Sequence, residues 1–222
     1  MEIVGYSMAL LIGVSLGLIG GGGSILAVPV LAYLFGLDEK LATAYSLFVV
    51  GSAALVGGFR QYKNGHVDVR TAVVFGAPAV LGVWGVRQFV VPMLPDVLLV
   101  VEGFEFTRRM GMFGLFSVLM IWAAYSMLSP KERKSGSGAV NYNYPLILLE
   151  GLIVGALTGM VGAGGGFLII PALVMFANLQ IKRAIGTSLV IIAFKSLLGF
   201  LLSDALTAAI DWPFLLQFTG IA

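Results

Sequence analysis

Gly20-Gly21-Gly22-Gly23-Ser24-Ile25-Leu26-Ala27-Val28-Pro29 returns later in the chain as Gly162-Ala163-Gly164-Gly165-Gly166-Phe167-Leu168-Ile169-Ile170-Pro171. From Pro29 to Pro171 the offset is 142, and it holds without a gap through Leu37/Leu179, Lys40/Lys182, Ala42/Ala184, Ser46/Ser188, Leu47/Leu189, Leu55/Leu197 and Gly57/Gly199. Two copies of one unit, each broken by glycines inside apolar sequence, describe a pseudosymmetric membrane body with irregular backbone at its centre. A chain that only had to be apolar would need no such repeat.

The composition places that body in a bilayer. The chain is 59% hydrophobic and 11% charged, with a mean hydropathy of +1.02. Soluble domains carry about a quarter charged residues, so this chain cannot cover a water-facing surface. It has no cysteine, hence no disulfide framework and no thiol chemistry. The start, Met1-Glu2-Ile3-Val4, lacks the basic region of a cleaved signal peptide, so the first apolar segment is expected to stay. A formal charge of +2 is too small to imply a nucleic-acid partner.

A crossing needs about 20 apolar residues in a helix. Leu41–Phe59, Thr71–Val91, Met110–Leu128 and Ala184–Leu202 have about that length. Gly5–Gly36 and Pro145–Phe176 are longer, and glycines break each near its middle. The spacing predicts an all-α, polytopic transmembrane protein with two homologous repeats, each starting with a glycine-broken, re-entrant helix. Residues 1–128 form the first repeat, 129–144 a polar, basic cytoplasmic linker, and 145–222 the second repeat. The second repeat reads as cut short, because only Phe214–Ala222 follow Asp211-Trp212-Pro213.

Charge decides between parallel and inverted halves. If each broken segment crosses once, basic residues divide six inside (Arg60, Lys63, Arg70, Lys131, Arg133, Lys134) and six outside (Lys40, Arg87, Arg108, Arg109, Lys182, Arg183). If each is a re-entrant hairpin, Lys182 and Arg183 move inside, giving eight against four. Lysine and arginine favour the cytoplasmic side, so the halves are expected to be inverted, with the N-terminus outside.

Where a helix restarts in the membrane, its first amides are unpaired and its positive dipole end can receive an anion. That makes Gly21, Gly22, Gly23 and Ser24, and Gly164, Gly165 and Gly166, candidate substrate-binding residues. Close packing through small residues is the competing explanation. Lys195 sits mid-span, where a charge is expensive and marks a functional hypothesis by default. Its repeat counterpart is Ala53, so symmetry does not demand it. Ser46, Thr187 and Ser188 could complete an anion cage with their hydroxyls, although serine bonding to its own helix is the commoner use. Neither glycine run fits a nucleotide motif: Phe167 breaks G-x-G-x-x-G, and no Gly-Lys-Ser/Thr follows. One loop histidine, His66, and no cysteine offer neither a metal site nor a catalytic pair.

These residues resemble the TauE/SafE family of sulfite exporters. The resemblance rests on both glycine runs with their prolines, on Ala184-Ile185-Gly186-Thr187-Ser188-Leu189, and on the loop Tyr62-Lys63-Asn64-Gly65-His66-Val67-Asp68. It covers nearly the whole chain. Thr43-Ala44-Tyr45-Ser46 departs from the more typical Ile185-Gly186-Thr187-Ser188 of the second copy. The resemblance implies a multi-pass inner-membrane transporter exporting sulfite or a related small sulfur-containing or organic anion. It also implies a coupling ion, with the lipid bilayer as surroundings. Taken with the residues, it leads to a non-enzyme working by alternating access, without a cofactor or metal, and compatible with a homo-oligomer. The rival expectation is an integral membrane scaffold or receptor whose glycine repeats serve only helix packing.

Overall fold

The computed structural model describes residues 2–19, 23–95, 97–101, 104–128, 144–161, 165–175, 177, 179–205 and 210–222. The expected linker, 129–144, lies outside the described residues except for Tyr144. In chain order the helices are α1 (Glu2–Ile19), α2 (Ser24–Pro29), α3 (Glu39–Lys63), α4 (Val69–Gly85), α5 (Val91–Met93), α6 (Arg108–Leu128), α7 (Tyr144–Val161), α8 (Gly166–Met175), α9 (Ile181–Gly199) and α10 (Trp212–Ile221). Wider π turns extend three of them: Val30–Leu34 after α2, Val86–Val90 after α4 and Phe200–Asp204 after α9. Among the described residues, Glu39–Lys63, Val69–Met93 and Ile181–Asp204 are long and apolar enough to cross a membrane.

The all-α expectation holds with one addition. Val97–Val101 (β1) and Phe104–Thr107 (β2) pair as an antiparallel hairpin, with Val101 opposite Phe104. It joins α5 to α6.

Aspartates start three helices. The Asp38 carboxylate accepts from the Lys40 amide, Asp68 from Thr71 and Asp211 from Phe214. Each cap satisfies a backbone donor that the first helical turn leaves open.

Two helix pairs carry the core. In the first, α3 and α9 cross antiparallel: Gly51 packs on Leu197, while Gly57 and Gly58 pack on Leu189 and Val190. In the second, α4 and α7 run parallel, with Gly151 on Phe75 and Pro78, Gly155 on Ala79, and Gly159 on Val83. Small residues four apart let two backbones approach as lipid-embedded helices require. A methyl at Gly155 would run into the Ala79 carbonyl, which no side-chain rotation can relieve. We expect Gly155→Ala to cost about 1–3 kcal/mol by overpacking. Gly85→Ala meets nothing within 4 Å and should be neutral or gain about 1 kcal/mol in helix propensity. Thermal unfolding of the detergent-solubilised pair measures the difference.

The contacts also exchange across the offset of 142–143. The Thr187 hydroxyl accepts from the Asp68 amide at 2.9 Å, and the Tyr45 hydroxyl accepts from the Asp211 amide at 2.6 Å. Tyr45 corresponds to Thr187, and Asp68 to Asp211, so each half caps the other with the same pair of positions. Gly155 against Ala79 likewise has its counterpart in Gly13 against Ala222. The start of α4 therefore lies beside α9 near its start, and the start of α10 beside α3 near its start.

Candidate functional site

Lys195 is the centre of the candidate site. It lies on α9 with no exposed surface, although lysine is almost never fully buried without a partner. Its ammonium donates to the Thr158 hydroxyl of α7 at 2.6 Å. Thr158 in turn donates to the Gly155 carbonyl at 3.1 Å, so its own hydrogen is already committed. Among the described residues no carboxylate forms an ion pair with Lys195; the two ion pairs found are Arg87–Asp204 and Arg108–Glu39. Glu150, the acid of α7, is half-buried further back on that helix.

Gly165 closes the other side. It has φ +69, and a Cβ there would collide with the Thr158 methyl and come within 2.9 Å of Lys195 Nζ. Its carbonyl accepts from the Leu168 and Ile169 amides, so it starts α8. The glycine is what lets the ammonium reach the start of that helix, where the dipole end also favours an anion.

The other sequence candidates fall at different places. Gly23 packs against α1 at Ser15, Ile12 and Leu16, and Ser24 opens α2 fully buried. Gly166 is buried as the first residue of α8. Gly21, Gly22 and Gly164 lie outside the described residues. Thr187 binds the Asp68 amide, and Ser188 donates to the Ile185 carbonyl of its own helix at 2.8 Å. Both lie seven to eight residues before Lys195, roughly 10–12 Å along α9. Ser46 donates to the Thr43 carbonyl at 3.2 Å, toward the opposite end of the α3–α9 crossing. The structure thus brings Lys195 and Gly165 together and sets the three hydroxyls apart from them.

Three further groups lie near this cluster. Thr158 is one. The Ser196 hydroxyl, the next residue to Lys195, is buried with no hydrogen-bond partner. The third is an ion pair between a buried arginine and a half-buried aspartate. Arg87, in the π turn after α4, points Nε and Nη2 at the Asp204 carboxylate at 2.5 and 2.8 Å. Its Nη1 donates to the Gly159 carbonyl at 3.0 Å, and Nη2 reaches the Thr43 hydroxyl at 3.4 Å. Arg108, at the start of α6, pairs with Glu39 at 2.6 Å and also donates to the Leu94 carbonyl. The orientation count had placed Arg87 and Arg108 in outside loops. Both are buried and paired, so neither reports on topology as a free loop cation.

A crevice of about 640 Å³ between α3, α4 and α9 is almost wholly apolar, with Leu55, Phe59, Val73, Val190, Phe194 and Leu198 on its walls. It offers an anion no charge. The only buried cation without a carboxylate among the described residues is Lys195.

Comparison with known proteins agrees with a membrane role. Residues 6–222 match the family described as Sulfite exporter TauE/SafE. A probable membrane transporter protein of Xylella fastidiosa strain 9a5c is 30% identical over 214 residues, spanning 94% of this chain and 76% of that protein. A probable membrane transporter protein of Methanocaldococcus jannaschii is 28% identical over 204 residues, 90% of this chain and 69% of the other. The Bacillus subtilis probable membrane transporter protein YdhB is 26% identical over 182 residues, 82% and 70% of the two chains. No solved structure matches. With a match over nearly its whole length, the chain belongs to the Sulfite exporter TauE/SafE family of membrane transporters.

Proposed function

We propose that this chain is a multi-pass inner-membrane exporter of sulfite or a related small sulfur-containing or organic anion, working by alternating access. The observation that carries the reading is Lys195: an ammonium buried at the start of α8 with a hydroxyl beside it and, among the described residues, no carboxylate paired to it. A cation left without a counter-ion in low dielectric costs several kcal/mol, and a bound oxyanion is the group that offsets this. The family description supports an oxyanion of sulfur.

The helix directions support two inverted repeats. α3 and α9 occupy equivalent positions, 142 apart in sequence, and run antiparallel. α7 runs parallel to α4, so it enters from the end where α4 and α9 begin. α9 starts at that same end after α8, which favours reading α7–α8 as a re-entrant hairpin. By the reciprocal contacts, α1–α2 is its counterpart from the other end. Lys195 has no exposed surface, so an anion reaches it only when these elements move, as a carrier requires. A gradient of a coupling ion supplies the work, and no catalytic step is involved.

Thermal unfolding of the purified protein against sulfite, sulfate, thiosulfate, sulfoacetate, acetate and chloride tests the reading. A ligand of the folded state raises stability by mass action, about 2.7 kcal/mol at a hundred times Kd. We expect a concentration-dependent rise with sulfite or another sulfur oxyanion and none with chloride. No shift with any anion would favour a scaffold whose glycines only pack helices.

A further inference from the structure

We propose that Arg87 and Asp204 are transport residues: their ion pair is the gate that closes the Lys195 site toward the end of the molecule where α3 begins. This rests on the reading of Lys195 as the anion site. Three observations carry it. First, the pair joins four elements at one point: Arg87 follows α4, Asp204 ends the π turn after α9, Gly159 lies on α7 and Thr43 on α3. Second, its anchor on α7, Gly159, is the residue next to Thr158, which holds Lys195. A shift of α7 that follows anion binding at Lys195 therefore reaches the guanidinium directly. Third, both partners stand on π turns, Val86–Val90 and Phe200–Asp204. Single π turns within helices gather at functional sites.

Stability alone is a poor reason for this arrangement. Desolvating a buried guanidinium and a half-buried carboxylate costs about as much as their attraction returns, and apolar residues hold helices together as well. What a bidentate pair adds is a contact with two discrete states, made or broken, which is what a gate needs. Glu39–Arg108 stands one turn from Thr43 on the same face of α3 and flanks the gate on its outer side.

The absence of cysteine in these 222 residues gives a clean background for the test. A Thr158→Cys reporter places a thiol against the Lys195 ammonium, which favours the reactive thiolate. Right-side-out and inside-out vesicles are exposed to the membrane-impermeant sulfonatoethyl and trimethylammonioethyl methanethiosulfonates, with Arg87 and Asp204 intact, as Arg87→Gln, and as Asp204→Asn. Labelling follows the population of the open state. We expect each substitution to raise labelling from one face about tenfold or more and to leave the other face within about twofold. Unchanged labelling from both faces in folded variants would overturn the gate. Should the neutral variants fail to fold, Arg87→Lys keeps the charge but loses the fork. It should label at an intermediate rate, and a rate equal to the parent's would equally overturn the proposal. Anion-dependent melting of the protein with native Thr158 separates the two readings. Labelling that rises without any anion shift would leave the gate and remove the Lys195 site, and the converse would remove the gate alone.

Discussion

Lys195→Met yields a protein that melts higher than its parent and moves no anion. The two halves of that expectation come from the same fact. Lys195 is a fully buried ammonium held by one hydroxyl, with no carboxylate paired to it among the described residues. Replacing it with an apolar chain of similar length removes a desolvation cost of about 1–4 kcal/mol. The substitution leaves no orphan behind, because Thr158 still donates to the Gly155 carbonyl. Transport moves the other way. Removing one preorganised charged donor from a dry site costs about a hundredfold to a thousandfold in rate. Anion flux into liposomes should fall by at least that much, and the anion-dependent rise in melting temperature should vanish. A structural lysine behaves differently: its methionine variant would melt lower, and flux would fall only as far as folded protein was lost. Lys195→Arg keeps a charge but brings a planar fork into a pocket shaped for a point charge. It should recover little of the flux.

Much of this arrangement was readable in the sequence because it is local or periodic. The offset of 142 sets α3 to begin at Glu39 and α9 at Ile181, and each glycine run is followed by a helix start. Lys195 stood out because an ionisable residue in the middle of an apolar span has few innocent explanations. What was not legible is pairing across long sequence distance. Arg87 lies inside the apolar run Thr71–Val91, where the rule that flagged Lys195 applies equally. Counting it as a loop cation hid it. Its partner Asp204 is 117 residues away, and nothing local announces that two charges will meet. Thr158 is one of many membrane hydroxyls, and only the fold singles it out by bringing α7 to α9. Ser46, Thr187 and Ser188 were chosen for repeating across the halves. Their repetition reflects how the halves cap and cross each other as much as what they could bind, since the Tyr45 and Thr187 hydroxyls make the reciprocal contacts between them. The β1–β2 hairpin was missed because Val97–Val101 is too short to cross a bilayer and stands between two segments that are long enough.

Gly165→Ala separates the site glycine from a merely flexible one, and its control lies in the same chain. Three described glycines have positive φ: Gly36 at +67, Gly65 at +73 and Gly165 at +69. Any alanine there adopts the left-handed region at a cost of about 1–2 kcal/mol. At Gly36 and Gly65 that is the whole cost, since a Cβ meets nothing within 4 Å. At Gly165 the same Cβ runs into the Thr158 methyl and lies 2.9 Å from Lys195 Nζ. Lysine can swing away, because it is long and its head is held by one bond, but Thr158 is fixed to α7 by its own hydrogen bond to Gly155. The ammonium therefore leaves the start of α8, the position where the proposed site has it act together with the helix end on an anion. We expect Gly36→Ala and Gly65→Ala to lose about 1–2 kcal/mol of stability while keeping anion flux per folded molecule. Gly165→Ala should lose a further 1–3 kcal/mol or so through overpacking, and flux per folded molecule should drop about a hundredfold. Equal flux in all three variants, normalised to folded protein, would mean that the glycine serves the turn alone and that Lys195 need not meet it. A loss confined to Gly165→Ala, with the anion-dependent melting shift lost in parallel, ties the first amides of α8 and the Lys195 ammonium into a single site.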